Sequence, residues 1–398
     1  MMRGQNIICI AKEWSEDPTA NNHVMRLLAR ENRVLWLNSI GTRTPDFASR
    51  RDLTKLVAKL RSFTRGPTRI TDGLTVYTPI VLPFPHSSLA VAANRRILEQ
   101  TFSRLRRRLG FADFQLWTFL PNAVEYVGRF GESVAVYYCT DEWSEFAHVD
   151  GARMATMERS LLGKVDVAFT TSSALWERKR EWNPETHLAP HGVDQGHFAL
   201  ALDPATGLPA ELVGRPRPIL GFFGLVEDWI DVELLAFLAR SRPDWTVAVV
   251  GKSNVSLGEL AALQNVVLPG RRPYEELPQW CKGFDVALCP FRLNELTRNV
   301  NPMKLREYLS AGLPVVATDL PEIRKYGSWC AIAHGPADFL AACERMIAED
   351  SPSRRRERSE AMKAETWEAR VADVGDRVMR VLERKRASHS ANGSPLDR

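Results

Sequence analysis

Lys304 and Glu307 lie three residues apart in segment 301–318, NPMKLREYLSAGLPVVAT. Residues at that spacing share one face of a helix, and the segment reads as loop, helix, tight turn and strand. Asn301 is a good N-cap and Pro302 suits the first helical position. Gly312 can take the left-handed conformation that ends a helix, and Pro314 prevents continuation. Val315 and Val316 then open a short apolar strand. Lys304 falls in the first turn, where unpaired backbone N–H groups already favour an anion. Glu307 lies about 9 Å along the axis from Asn301, at ~1.5 Å per residue. A carboxylate accepts from two hydroxyls at once. A phosphate at the helix mouth and a ribose diol at Glu307 would fit one nucleoside diphosphate. Taken alone, the segment fits better a capped amphipathic helix before a core strand, with a solvated Lys and Glu.

Such a pair needs a scaffold, and the whole chain supplies the pattern of one. Its 398 residues suggest two domains. Apolar content of 44% and charged content of 25% are ordinary for a globular protein. No run of eighteen apolar residues is present, so no transmembrane helix is expected. The opening MMRGQNIICIAKEW has too short an apolar core for a signal peptide and leads straight into a strand. The six cysteines, Cys9, Cys139, Cys281, Cys289, Cys330 and Cys343, are scattered without a Cys-x-x-Cys pair. They read as buried reduced thiols of a cytoplasmic protein, with no structural zinc.

Strand-like runs alternate with helical patterns along both halves. In the first half strands are expected at 6–11, 34–37, 74–77, 115–119, 134–139 and 167–170, with helices at 22–30, 90–109, 152–162 and 173–182. In the second they are expected at 219–223, 246–250, 266–268, 285–289, 314–318 and 330–333, with helices at 232–238, 257–264, 274–281, 302–311 and 336–348. Alternation of this kind predicts α/β domains with parallel sheets covered on both faces. The Pro/Gly-rich run 201–218 reads as a linker. The boundaries are therefore 1–195, a linker over 196–217, 218–363, a last helix over 364–385 and a disordered tail over 386–398. In doubly wound domains ligands bind outside the carboxyl ends of the strands.

Glu307 with AGLPVVAT resembles the donor-site motif of the GT-B glycosyltransferases, specifically the retaining group called family 4 or group 1. The resemblance implies two Rossmann-like domains facing a cleft and a C-terminal helix crossing back to the first; Trp367 and Arg370 fit a Trp-x-x-Arg common near its start. It implies that Glu307 binds the ribose of a nucleotide-sugar donor. The family's upstream sugar-contacting Glu is replaced by Asn299, with Glu295 the nearest acid before it. Segment 191–194, HGVD, resembles the Asn-Gly-Val-Asp that closes the first domain. Segment 219–231, ILGFFGLVEDWID, places Gly221 and Gly224 where backbone N–H groups could approach a diphosphate, but Glu227 and Asp228 follow where the family often has a cation. Positive charge must come from elsewhere. Lys304, Arg271 and Arg298 are favoured, with Lys252 and Arg272 as further candidates. No metal and no permanently bound cofactor is expected, and no protein nucleophile, because the donor phosphate can take the acceptor hydroxyl's proton.

The first half is expected to hold the acceptor. Segment 137–146, YYCTDEWSEF, leaves an apolar strand and is similar to one in teichuronic-acid-type and other polysaccharide-building transferases. Asp141 or Glu142 could hydrogen-bond or deprotonate an acceptor hydroxyl, although an Asp capping the next turn fits as well. Trp143 and His23 are acceptor-binding candidates; His86 and His191 are weaker ones. Residues 43–108 carry fourteen Lys/Arg against four Asp/Glu. Within them Leu53, Leu56, Val57, Leu60 and Phe63 form an apolar helical face beside Arg51, Lys55, Lys59 and Arg61. A basic amphipathic helix of this type suits an anionic membrane on the inner face of the plasma membrane and a lipid-linked acceptor, or it docks on its own domain. No nucleic-acid reader motif is present. A nucleotide-sugar epimerase on the same plan, or a non-catalytic module that binds a glycan, lipid or protein, are the alternatives to a transferase.

Overall fold

The structure, a computed structural model, describes residues 2–16, 18–38, 66–79, 82, 87–147 and 149–392. The basic segment 51–63, His86 and residues 393–398 lie outside the described residues. Two compact units are present: residues 1–190 with 370–398, and residues 191–369.

The first unit runs β1 (Asn6–Ala11), α1 (Ala20–Leu28), β2 (Arg33–Asn38), β3 (Thr68–Thr71), β4 (Leu74–Tyr77), α2 (Ser88–Leu109), β5 (Gln115–Thr118), β6 (Val134–Cys139), α3 (Gly151–Leu162), β7 (Val167–Thr170), α4 (Ser173–Lys179) and β8 (Thr186–Leu188). The sheet order is β3-β4-β2-β1-β5-β6-β7-β8, and among the described residues only the β3–β4 pairing is antiparallel. Runs such as VAVYYC in β6 are buried at every position, as a parallel strand covered on both faces requires. The C-terminal helix (Trp367–Asn392) belongs to this unit from Arg370 onward, with Val371, Val374, Val378 and Leu382 buried on one stripe. It continues through Asn392, where a disordered tail was expected from 386. Ser388 even returns a hydroxyl hydrogen bond to the Arg384 carbonyl at 2.9 Å, one helical turn back.

The second unit runs α5 (Gln195–Ala199), β9 (Ile219–Phe223), α6 (Val232–Ser241), β10 (Thr246–Val250), β11 (Val266–Gly270), α7 (Leu277–Gly283), β12 (Val286–Cys289), α8 (Glu295–Arg298), α9 (Met303–Ser310), β13 (Val315–Thr318), α10 (Pro321–Arg324), β14 (Cys330–Ala333), α11 (Pro336–Ala348) and α12 (Pro352–Ala361). Its strands are all parallel in the order β11-β10-β9-β12-β13-β14. Chain direction along the sheet therefore reverses between β9 and β12. Such a switch point opens a crevice at the carboxyl ends of the strands.

Several boundaries differ from the sequence expectation. The stretch read as a linker packs into the second unit: Ala201 and Leu212 join its core. The Leu212 side chain packs directly on Gly283 at the end of α7, where a Cβ would meet its Cδ1 at 2.5 Å. The helix expected over 257–264 is a single 3-10 turn, Gly258–Ala262. Pro302 is extended (ψ 116°), so α9 starts at Met303. Among the described residues no helix is long and apolar enough to cross a membrane. All six cysteines are free and buried.

Candidate active site

The helix α9 is bolted to the switch point of the second unit. Leu305, Tyr308 and Leu309 face the core. The Tyr308 hydroxyl accepts the backbone N–H of Phe223, at the end of β9, at 2.8 Å, and the two rings meet edge-on at 4.7 Å. That contact brings the first turn of α9 beside the turns that follow β9 and β10. Gly224 (φ +136°) lies so close to Lys304 that a Cβ there would stand 1.9 Å from Lys304 Cε. Gly251 (φ +147°) is pressed on Gly224 in turn, with a Cβ placed 1.9 Å from the Gly224 carbonyl oxygen. Only glycine takes such backbone angles freely. The positive φ of Gly224 favours glycine there, and the Lys304 side chain lies directly against it. The Gly224 N–H is donated to the Val250 carbonyl at 2.8 Å, and Gly221 lies under the Phe284 ring.

Lys304 and Glu307 share the face turned to this crevice. The Lys304 ammonium sits 5.9 Å from the Phe222 ring centroid. Glu307 is 8% exposed, and burial pushes its carboxyl up to about 7 against the opposing pull of Lys304. Among the described residues no side chain donates to Glu307 and no carboxylate closes a salt bridge with Lys304. A nearly buried carboxylate without hydrogen bonds is costly, so this pair has unspent capacity for an anion and a donor.

The remaining residues expected to bind a donor are dispersed. Asn301 is buried, and its amide is spent on Glu322 (3.1 Å) and Arg306 (2.6 Å). It shapes the loop before α9; its side chain is not free to meet a ligand. Asn299 is buried and donates to the Glu295 carbonyl at 2.6 Å. Arg298 is exposed and pairs with Glu295 at 3.2 Å. Lys252 follows β10 and is exposed; Arg271 follows β11, two strands from the switch point, and is exposed too. Arg272 is committed to Glu211 and the Trp280 ring. Of the cations proposed from sequence, Lys304 is the one placed beside Glu307. The His191 ring lies tilted against the Trp367 ring, 5.8 Å between centroids, at the start of the second unit.

In the first unit the loop after β6 carries Asp141, Glu142 and Trp143. Glu142 is buried, and both its oxygens lie 3.0 Å from the Lys179 ammonium, which also meets Glu158 at 2.6 Å. Tyr137 donates to Glu158 at 2.7 Å. Burial works against the charge of Lys179, but Cys139, Glu158 and Glu142 outweigh it and hold the ammonium above its ordinary range. Glu142 is thereby withdrawn as an acceptor acid: its carboxylate is consumed by a buried cation. Asp141 is the acid left, half-buried, its carboxyl raised by desolvation and partly offset by the Thr140 hydroxyl. The Trp143 indole nitrogen is buried with no hydrogen-bond partner among the described residues. His23 lies half-buried on α1.

Sequence reasoning missed a polar cluster at the carboxyl ends of β1 and β2. Asn38 accepts the backbone N–H of Trp14 at 2.9 Å and donates to Glu13 at 2.6 Å and Thr78 at 2.8 Å. Trp14 packs edge-on against Trp36 at 4.9 Å. An Asn closing the strand run VLWLN was the available signal. Among the described residues no group of three or more His, Cys, Asp or Glu side chains is arranged to hold a metal ion.

Comparison with known proteins bears on this geometry. Residues 217–349 match the family described as glycosyl transferases group 1. A protein of Bacillus subtilis (strain 168), provisionally named teichuronic acid biosynthesis glycosyltransferase TuaH, is 32% identical over 256 residues. The match takes in 59% of this chain and spans 64% of that relative's length. Among solved structures, sucrose-phosphate synthase from Thermosynechococcus elongatus superposes with a TM-score of 0.69 at 17% identity, over 96% of this chain and 100% of that one. Anabaena HepE, solved with UDP and glucose, gives 0.60 at 12% identity over 98% and 100%. The catalytic domain of starch synthase IV from Arabidopsis thaliana, bound to ADP and acarbose, gives 0.64 at 10% over 96% and 100%. These likenesses are of fold, and the fold is GT-B.

Proposed function

We propose, from the premise that the second unit is a group 1 glycosyl transferase domain on a GT-B fold, that this chain moves a sugar from a nucleoside diphosphate sugar to a hydroxyl of a glycan or glycolipid acceptor. The observation that carries the reading is the almost buried Glu307, without a hydrogen bond among the described residues, beside Lys304 at the switch point. Glu307 takes both ribose hydroxyls. Lys304 meets the diphosphate and holds the negative charge that grows there as the glycosidic bond breaks. The leaving phosphate accepts the proton of the incoming hydroxyl, so configuration is retained and no protein nucleophile is required. Asp141 orients the acceptor hydroxyl. Arg271, Arg298 and Lys252 are at most outer electrostatic contributors, given their exposure.

The acceptor is proposed to be lipid-linked and handled at the inner face of the plasma membrane, in the assembly of a cell-surface polysaccharide. The exposed face of α2 supports this: Arg96, Arg104, Arg107 and Arg108 lie on it with Leu89 (82% exposed) and Ile97. Basic side chains interleaved with exposed apolar ones suit an anionic bilayer surface.

The test is transfer itself. Purified protein is offered UDP-, GDP-, ADP- and dTDP-sugars with membrane-extracted lipid acceptors, and free nucleotide and glycosylated product are measured together. Stoichiometric release of both is expected. Weak or absent nucleotide binding, with no turnover on any acceptor, would favour the non-catalytic module, which Asn299 in place of the upstream acid would suit.

A pH dependence follows from Glu307. Its carboxyl titrates at about 7 when the site is empty. Hydroxyls donating to it favour the ionised form, so a bound donor lowers that value and binding below it must expel a proton. Affinity for a nucleotide sugar, whose diphosphate stays ionised throughout, should fall about tenfold from pH 8 to pH 6. Glu307→Gln should bind weakly with a flat profile; an unchanged slope in that variant would remove Glu307 from the site.

A further inference from the structure

Arg306 precedes Glu307 on α9, but its side chain turns into the unit and is 3% exposed. A buried guanidinium persists only where it is fully paired. Arg306 Nε donates to Glu365 Oε2 at 2.9 Å, and its Nη1 donates to Asn301 Oδ1 at 2.6 Å. The Tyr326 hydroxyl donates to the same Glu365 oxygen at 2.7 Å, and the guanidinium lies 5.0 Å from the Tyr326 ring centroid. One side chain thus joins the loop that leads into α9 to a residue 59 positions away.

The backbone around Glu365 has a particular place in the chain. Val193 N–H donates to the Glu365 carbonyl at 3.0 Å, and Trp367 N–H donates to the Val193 carbonyl at 3.3 Å. Gly192 fits so closely beside this backbone that a Cβ would stand 2.6 Å from Trp367 Cα. Residues 191–193 and 365–367 therefore run side by side as a short parallel bridge. They are also where the chain enters and leaves the second unit, which spans 191–369. The two segments cannot shift independently, and Glu365 moves with them.

Resting on the donor-site reading above, we infer that Arg306 and Glu365 are positioning residues that couple the paired entry and exit segments of the second unit to the nucleotide site. Displacing the bridge withdraws Glu365 from Arg306. Arg306 then releases Asn301, and the first turn of α9, with Lys304 and Glu307, loses its fixed place. Coupling is reciprocal. A nucleotide that orders the first turn of α9 must also tighten residues 191–193 and 365–367, which do not touch it.

Hydrogen exchange read by mass spectrometry tests this on the full chain, with and without whichever of UDP, GDP, ADP or dTDP binds in titration. In wild type, saturating nucleotide should slow exchange in peptides covering 190–194 and 363–368 by about fivefold or more, beside the direct protection of α9. Glu365→Gln keeps an acceptor oxygen for Arg306 and Tyr326 while removing the charge; Arg306→Lys keeps the charge and removes the fork. Both should retain protection at α9 when saturated, lose it at the bridge and raise the donor KM by about fivefold with kcat little changed. A purely structural pair would lower the melting temperature of both variants and leave donor KM and bridge protection as in wild type, which overturns the inference. Protection at α9 without any at the bridge in wild type also overturns it and leaves the donor site standing. Failure of every nucleotide to bind wild type overturns the donor site and this inference together.

Discussion

Lys304→Ala should lower kcat/KM for sugar transfer about a thousandfold, in the range seen when one preorganised charge-stabilising donor is removed. The size follows from the setting. Lys304 is the cation placed at the switch point beside Glu307, and the turn it faces offers little else: the Gly224 N–H is spent on Val250. Glu227 and Asp228 follow where a second cation would help. The loss should fall mainly on kcat, because diphosphate charge grows as the bond breaks, and less on nucleotide affinity. Folding should be little changed, since the side chain lies against glycine and the Phe222 ring without a salt bridge among the described residues. Steady-state kinetics with melting curves check both halves. A loss of tenfold or less would move the leaving-group role to Arg271 or Arg298.

Lys179→Met should destabilise the first unit by about 3–5 kcal/mol, the usual result of removing one partner from a buried charge network. Methionine roughly fills the volume, but Glu142 and Glu158 are left facing each other with the Tyr137 and Ser144 hydroxyls and the half-exposed Arg178 guanidinium, 3.7 Å from Glu142, to hold them. For a unit of this size the melting temperature should drop by about 10 °C. The triple change Lys179→Met, Glu142→Gln, Glu158→Gln removes all three charges and should recover most of that loss. If the triple variant melts as low as the single one, packing around the lysine stem and not the charge is what matters. Calorimetric melting of the three proteins separates the cases.

These two residues also mark where the sequence could and could not be read. Lys304 stands in a segment whose helix, turn and strand carry local signals, so its position relative to Glu307 follows from spacing alone; the cap signal misled, since Asn301 turns its amide to Glu322 and Arg306 and the helix starts at Met303. The strands were legible for a related reason. A parallel strand buried on both faces is a continuous apolar run, and TVAVV, VAVYYC and VVAT say so without help from distant residues. Lys179 carries no such mark. Asp141 and Glu142 are adjacent acids on one loop, and only the fold decides that Glu142 turns inward to a lysine 37 residues away. Arg306 and Glu365 are equally silent, since nothing local distinguishes a buried arginine on an amphipathic helix from a solvated one. The region read as a linker failed differently. Pro and Gly report that the chain turns often, not whether the turns pack, and Ala201 and Leu212 tie them to the core. The glycine spacing around Gly224 was legible, but not its neighbour: only the fold shows that the Lys304 side chain lies directly on it.

The most direct test of the nucleotide site is calorimetric titration of the protein with UDP, GDP, ADP and dTDP, repeated with Glu307→Ala. Saturable binding of one nucleotide is predicted, weakened by about a hundredfold or more in the variant as two charge-assisted hydrogen bonds to the ribose are lost. Equal affinity in wild type and variant, or no binding of any nucleotide to the folded wild-type protein, would contradict a donor site on α9.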